Sequence, residues 1–255
     1  MQQLQFIGII PARYASTRFP GKPLADIGGM TMIERVYRQA SKELDQVYVA
    51  TDDERIADAI RAFGGKVVMT STEHRSGTDR CYEAYLNIGS SADVIINIQG
   101  DEPFIDPTQI AEVKRCFNHP DTTIATLVRP FDPQLGFDAL FDSSKPKVTF
   151  DASMNAIYFS RSIIPYVRNY EWKEWLEHAK FYMHVGMYAY RAETLGEITR
   201  LPQSSLEIAE SLEQLRWLEN GYKIRVGITE TPTIGIDTPE DLERARQLVA
   251  SIEKQ

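Results

Sequence analysis

Three cations stand out as suited to chemistry on a charged ligand: Arg13, Arg18 and Lys22. They share a loop, residues 12–23, that contains no acidic side chain. Ala15, Ser16, Thr17 and Gly21 between them let a backbone approach a ligand closely, and three fixed cations offer a polyanion a place to bind. The chain as a whole is acidic, with a net charge of −8. A positive island in a negative protein favours a small phosphorylated ligand held at one spot over a nucleic acid spread across a surface. Strand-end loops also carry Arg and Lys for solubility, so the pattern alone leaves that reading open. The loop matches neither the Walker A spacing nor a G-x-G-x-x-G fingerprint.

Two carboxylates complete the candidate chemistry. Asp101 directly follows Gly100 at the end of an apolar run, and Asp237 follows Gly235-Ile236 just before a helix start. A carboxylate at a strand end beside bound phosphates is a common way to hold Mg²⁺, which takes one or two carboxylates plus phosphate oxygens. Taken singly, Asp101 serves equally well to support the Glu102-Pro103 turn, and Asp237 to support a cap at Thr238. With the cationic loop on the same sheet edge, metal-assisted transfer of a phosphorus centre becomes the leading reading. No Ser-His-Asp or activated-Cys arrangement competes. His74, His119, His178 and His184 form no i,i+4 pair, so zinc is not expected.

The elements that position these groups follow from hydrophobic period and turn chemistry. Phe6 to Ile10 predicts a buried strand, closed by Pro11. Thr31 to Lys42 predicts a helix with Met32, Ile33, Val36, Tyr37 and Ala40 on one face. Further strands are expected over 46–50, 66–70 and 93–98. A helix carrying Ile56, Ile60 and Phe63 stops at Gly64-Gly65, and another opens at Asp106-Pro107. This alternation predicts an α/β fold with a Rossmann-like, mostly parallel sheet and helices on both faces. Ligands bind such sheets outside the carboxyl ends of the strands. The basic loop, Thr51 to Asp53, the Ser76-Gly77 turn and Gln99-Gly100-Asp101 all fall at that edge.

Beyond Asp121 the rhythm changes. Strand-like runs at 122–128, 147–150, 156–159 and 184–190 predict an antiparallel insertion within 122–191 of a single domain, 1–255. Its aromatic cluster, Tyr158 to Tyr182, suits a second core or a subunit interface, and a homodimer is the expectation. In the run from Met183 to Tyr190, period two sends His184, Gly186, Tyr188 and Tyr190 to one face. That face suits a polar ligand, or simply a half-exposed strand. A capping box at Ser204-Ser205-Leu206-Glu207 opens a helix expected to run to Asn220-Gly221, with Glu213 and Gln214 off its Leu face. Thr238 caps a last helix.

At 255 residues with 43% hydrophobic and 25% charged content, the chain is of ordinary globular composition. No apolar run of about 18 residues suggests a membrane span. Cys81 and Cys116 are expected as buried thiols, and with no leader pattern a cytoplasmic location is the expectation.

Several motifs together resemble the 3-deoxy-manno-octulosonate cytidylyltransferase (CMP-Kdo synthetase) family. They are Ile10 to Leu24, Ala50 to Asp53, Ser76 to Arg80, Asn97 to Pro103, Tyr158 to Arg161, His184 to Tyr188, Leu212 to Arg216 and Asp237 to Leu242. They run in order from end to end. The resemblance implies transfer of CMP from CTP to the anomeric hydroxyl of a keto-sugar acid, with Mg²⁺ and release of pyrophosphate, by a homodimer serving lipopolysaccharide synthesis.

It further implies that Arg13, Arg18 and Lys22 hold the triphosphate and its transition-state charge. Ser76, Gly77, Arg80 and Gln99 seat the nucleotide, and Asp101 and Asp237 hold metal. Arg161, His184, Tyr188, Glu213 and Gln214 surround the sugar acid, with Arg168 near its carboxylate. Two stretches depart from the family pattern: Tyr170 to Tyr182 is more aromatic, and Arg75 adds a cation before the Ser76 turn. Acceptors related to Kdo (its 8-amino analogue, or a sialic-type acid) and a silent nucleotide-binding module remain alternatives.

Overall fold

The structure, a computed structural model, describes residues 4–15, 19–232 and 234–252. It is an α/β protein with mostly parallel strands flanked by helices. The chain divides into two compact units. The first comprises the described residues of 1–111, 189–199 and 233–255, and the second comprises 112–188 and 200–232. Among the described residues no helix is long and apolar enough to cross a membrane.

The first unit contains β1 (Phe6–Ala12), β2 (Asp26–Ile27), β3 (Met30–Thr31), β4 (Val47–Thr51), β5 (Val67–Met69) and β6 (Val94–Asn97). β6, β1, β4 and β5 lie side by side in that order, all parallel. β2 and β3 form a small antiparallel pair. Ile7, Ile9 and Ile10 are wholly buried, as are Val94, Ile95 and Ile96. Such continuous β-branched runs mark strands covered on both faces. β1 does not end at Pro11 as expected; it continues to Ala12, with Pro11 opposite Ala50. Pairing with β6 stops at Ile9 and Asn97. The proline therefore falls where β1 is paired on one side only, and its missing N–H costs no ladder bond there.

The helices start where side chains can cap them. Thr31 accepts from the Glu34 N–H ahead of the helix Met32–Ala40, and Ser76 accepts from Asp79 ahead of Gly77–Ile88. The helix Pro239–Ile252 opens on a reciprocal pair, Thr238 and Asp241. Leu242, Ala245 and Val249 on that helix pack with Ile27, Met32 and Ile236. This cluster anchors the segment that carries Asp237.

The second unit contains β7 (Ile124–Pro130), β8 (Lys147–Phe150), β9 (Ala156–Ser160), β10 (Tyr182–Arg191, whose last residues belong to the first unit) and β11 (Ile224–Ile228). β8 pairs antiparallel with both β9 and β10. β7 joins the two characters: its contacts with β10 run in the antiparallel sense, from Phe131–Phe181 to Thr126–Met187, and on its other side it pairs in parallel with β11 from Ile124–Ile224 to Val128–Ile228. A parallel pair needs a long crossover, and the helices between β10 and β11 are part of it. The aromatic cluster splits. Trp175 and Phe181 are buried with Phe131, Leu140 and Met183, while Tyr166, Tyr170 and Trp172 are exposed. The helix expected from Ser204 to Asn220 is two helices, Ser205–Glu210 and Gln214–Glu219. It breaks at Ser211, whose φ is +51°.

Candidate functional site

In the first unit, the basic loop is pinned at both ends. Gly21 has φ +70° and donates its N–H to the Tyr14 carbonyl at 2.9 Å. A side chain there would be strained by that φ and would press on the Tyr14 ring at 3.2 Å. The Arg55 guanidinium lies 3.3 Å from the centroid of the same ring, and Asp53 holds Arg55 through two bonds of 2.9 and 2.6 Å. Hydrogen bonding to Arg55 holds the Asp53 carboxyl below the usual carboxylate range. Tyr14 and Arg55 have local signals too generic to single them out in the sequence. Arg13 is exposed, and Arg18 lies outside the described residues.

Gly21 opens the short turn Lys22–Leu24, which aims Lys22 at three oxygens. Its Nζ is 2.7 Å from Asp101 Oδ2, 2.6 Å from the Ile236 carbonyl and 3.3 Å from Asp237 Oδ1. The Ile236 N–H donates to the Asp101 carbonyl at 3.0 Å, tying the two carboxylate segments together by backbone. Gly100 permits this approach, because a Cβ there would stand 3.0 Å from the Pro11 carbonyl oxygen. Glu102 adds a third carboxyl nearby. Burial, and then the charges of Asp101 and Asp237, push it up to about 7.

Two carboxylates and a carbonyl already gathered around a cation are a hard-oxygen donor set that fits Mg²⁺. Among the described residues no group of three or more His, Cys, Asp or Glu side chains forms a metal cage.

The residues expected to seat a nucleotide divide by exposure. Gly77 is exposed at the start of its helix, and a Cβ there would meet the Pro11 ring at 3.2 Å. Ser76 caps that helix. Gln99 is half-buried just before Gly100. Arg80, 1% exposed, faces the protein: it donates to Thr70 Oγ1 at 2.6 Å and to Asp52 Oδ2 at 2.7 Å. It therefore locks the loops after β4 and β5 to the helix that Ser76 begins.

The residues expected around a sugar acid fall in the second unit. The His184 ring sits edge-on to Phe159, with Nε2 3.0 Å from Thr126 Oγ1. Thr126 also bonds the Met187 carbonyl at 2.7 Å. If the hydroxyl proton goes to that carbonyl, Nε2 carries the imidazole proton. Burial depresses His184 to about 3, so the ring is neutral. Tyr188 is buried against Trp217, and burial reinforced by the Glu213 charge raises its pKa well above the ordinary value. Glu213 accepts from Arg216 at 3.0 Å. Gln214 is 4% exposed, and its Nε2 has no partner among the described residues. Arg168 is exposed.

Arg161 gives three of its five N–H groups to carbonyls of Glu210, Ser143 and Ser211, at 2.6, 2.8 and 3.2 Å. Arg161 and Ser162 also line a cavity of about 430 Å³ walled by Phe137, Phe141, Trp172 and Trp175.

A family model described as cytidylyltransferase matches residues 7–224. A protein of Phocaeicola vulgatus named 3-deoxy-manno-octulosonate cytidylyltransferase is 65% identical over 242 residues, covering 95% of this chain and 96% of the relative. One of the same name from Parabacteroides distasonis is 64% identical over 249 residues, covering 97% and 99%. A solved CMP:2-keto-3-deoxy-manno-octonic acid synthetase complexed with CTP superposes with TM-score 0.88 at 42% identity, covering 97% of this chain and 99% of that one. A cytidylyltransferase from Leptospira borgpetersenii, 16% identical with TM-score 0.63, shares the fold.

Proposed function

This chain belongs to the 3-deoxy-manno-octulosonate cytidylyltransferase family, and on that premise we propose its reaction and the residues that carry it. The enzyme transfers CMP from CTP to 3-deoxy-manno-octulosonate (Kdo). The acceptor hydroxyl attacks the α-phosphorus and pyrophosphate leaves. A weak alcohol nucleophile and a highly charged electrophile leave the protein two tasks, alignment and charge neutralisation.

The observation that carries the reading is the convergence on Lys22 Nζ of Asp101, Asp237 and the Ile236 carbonyl. In this reading Lys22, with Arg13 and Arg18, neutralises the triphosphate. Asp101 and Asp237 would hold Mg²⁺, which when bound lowers the charge on the phosphates and the pKa of a hydroxyl near it. Ser76, Gly77 and Gln99 seat the nucleotide, and Arg80 keeps their loops in place from behind. His184, as a neutral ring, and Tyr188 and Gln214 meet the hydroxyls and ring of the acid. Arg161, with two N–H groups left over, and Arg168 meet its carboxylate. Glu213 is already paired to Arg216, which reduces its claim to an ammonium group on an amino-sugar acceptor.

A homodimer, in the cytoplasm, is part of the proposal. Tyr166 is 74% exposed and Trp172 43%, an aromatic surface suited to a partner subunit. A 29 kDa species persisting in light scattering at two dilutions would sink the dimer.

The test of the reaction is pyrophosphate release from CTP and Mg²⁺ with Kdo, its 8-amino analogue, a sialic acid or a sugar 1-phosphate. Release with Kdo well above the others is the expected result. CTP binding with no release from any of them overturns the enzymatic reading in favour of a silent module.

A further inference from the structure

Ser211 occupies the left-handed region, φ +51° and ψ 47°, which a residue with a side chain and no glycine-like freedom rarely adopts. Its conformation ends one helix, and the next begins at Gln214. No glycine or proline lies within the break, residues 211–213, so contacts from elsewhere in the second unit must hold the corner.

Those contacts converge on Arg161. Its side chain donates to the main-chain oxygens of Glu210 and Ser211, as given above. Its own main chain is fixed at both ends. The Arg161 N–H donates to Glu210 Oε2 at 2.9 Å. The Arg161 carbonyl accepts from Lys147 Nζ at 3.3 Å, and that wholly buried ammonium also bonds the Asp142 carbonyl at 2.8 Å. The other Glu210 oxygen, Oε1, accepts from Ser160 Oγ at 2.7 Å. Glu210 and Arg161 thus grip each other twice, each through one side chain and one main-chain group.

Directly beyond the corner stand Glu213, held by Arg216, and Gln214, whose buried amide nitrogen lacks an acceptor among the described residues. A buried donor without a protein partner is costly unless something from outside supplies the oxygen.

We propose that Glu210 is a positioning residue for the acceptor sugar acid. Through its reciprocal grip on Arg161 it holds the left-handed corner at Ser211, and the corner sets the direction in which Gln214 presents its free donor. The role rests on the functional reading above, and it assigns Glu210, Ser160 and Lys147 to the support of acceptor binding without any contact with the acid.

The experiment is steady-state pyrophosphate release with Kdo and CTP varied separately, for the wild type, Glu210→Ala, Ser160→Ala, and Glu210→Ala combined with Ser211→Gly. Glu210→Ala is expected to raise KM for Kdo about tenfold or more while KM for CTP stays within about twofold. Glycine adopts the left-handed region freely, so the double variant should recover several-fold of the lost Kdo affinity. A merely structural role for Glu210 would not separate the two KM values in this way. Ser160→Ala, a milder change that keeps the grip on Arg161, should shift KM for Kdo in the same direction by about two- to threefold. It serves if Glu210→Ala fails to fold.

Equal shifts in both KM values, or unchanged Kdo kinetics in Glu210→Ala and Ser160→Ala, overturn the positioning role while leaving the reaction intact. A wild-type chain that releases no pyrophosphate with Kdo overturns the functional reading and the positioning role together.

Discussion

The Lys22 ammonium lies 2.7 Å from the Asp101 carboxylate, although 79 residues separate the two in the chain. Both side chains are partly shielded, at 15% and 34% exposure. Charge attraction is therefore stronger here than at an open surface. The pairing joins the loop after β1 to the turn after β6, two strands adjacent in the sheet.

Asp101→Ala is expected to abolish turnover while leaving the fold intact. The substitution removes charge and the proposed metal ligand at a partly exposed strand end, and it removes no packing. Circular dichroism and a urea midpoint near wild type, with pyrophosphate release at background, are the expected pair of results. Turnover near wild type would refute the metal role.

Lys22→Ala should lower kcat by about 100-fold or more if, as proposed, the lost cation neutralises charge that grows on the leaving pyrophosphate. A rise in KM for CTP with kcat unchanged would instead make Lys22 a ground-state binding residue. Varying CTP at saturating Kdo separates the two.

Arg80→Ala should destabilise the protein by about 3 kcal/mol, since it strands the Asp52 carboxylate and the buried Thr70 hydroxyl without their partner. Arg80→Lys keeps the charge but not the two-pronged geometry, and should fall between. Urea denaturation measures both. A loss under about 0.5 kcal/mol would show that the buried pair is not what holds these loops.

The pH dependence of stability tests the environment of His184. Its folded pKa, about 3, lies below the ordinary histidine value, so the unfolded chain takes up the proton first. The stability of the neutral ring is fully present above about pH 6.5 and is lost as pH falls toward 3, at up to about 1.4 kcal/mol per pH unit. Between pH 7.5 and 5, wild-type stability should therefore fall more steeply than that of His184→Gln. Parallel lines for the two proteins would show that the ring is not held neutral.

Much of the site's framework was legible because its causes are local. The strand runs of Ile7 to Ile10 and Val94 to Ile96 follow from β-branched residues covered on both sides, and the helix starts at Thr31, Ser76, Ser204 and Thr238 follow from hydroxyls one turn from a backbone N–H. Alternation of those elements implies a parallel sheet, and a parallel sheet implies loops gathered at its carboxyl edge. Lys22 and Asp101 could be named together for that reason.

Other features depend on a partner far away in the chain. An arginine shows its charge in the sequence but not its acceptors; Arg80 and Arg161 look alike as cations, yet one is buried on Asp52 and the other holds carbonyls of Glu210, Ser143 and Ser211. The break at Ser211 has no glycine to announce it, because long-range hydrogen bonds hold a conformation that local propensity disfavours. Pro11 could continue β1 only because β6 had already stopped pairing there. The sequence by itself determined the elements and the charges they carry, through interactions within a few residues. The tertiary structure decided which charges remain for a ligand, because that depends on which donors and acceptors the folded chain has already joined.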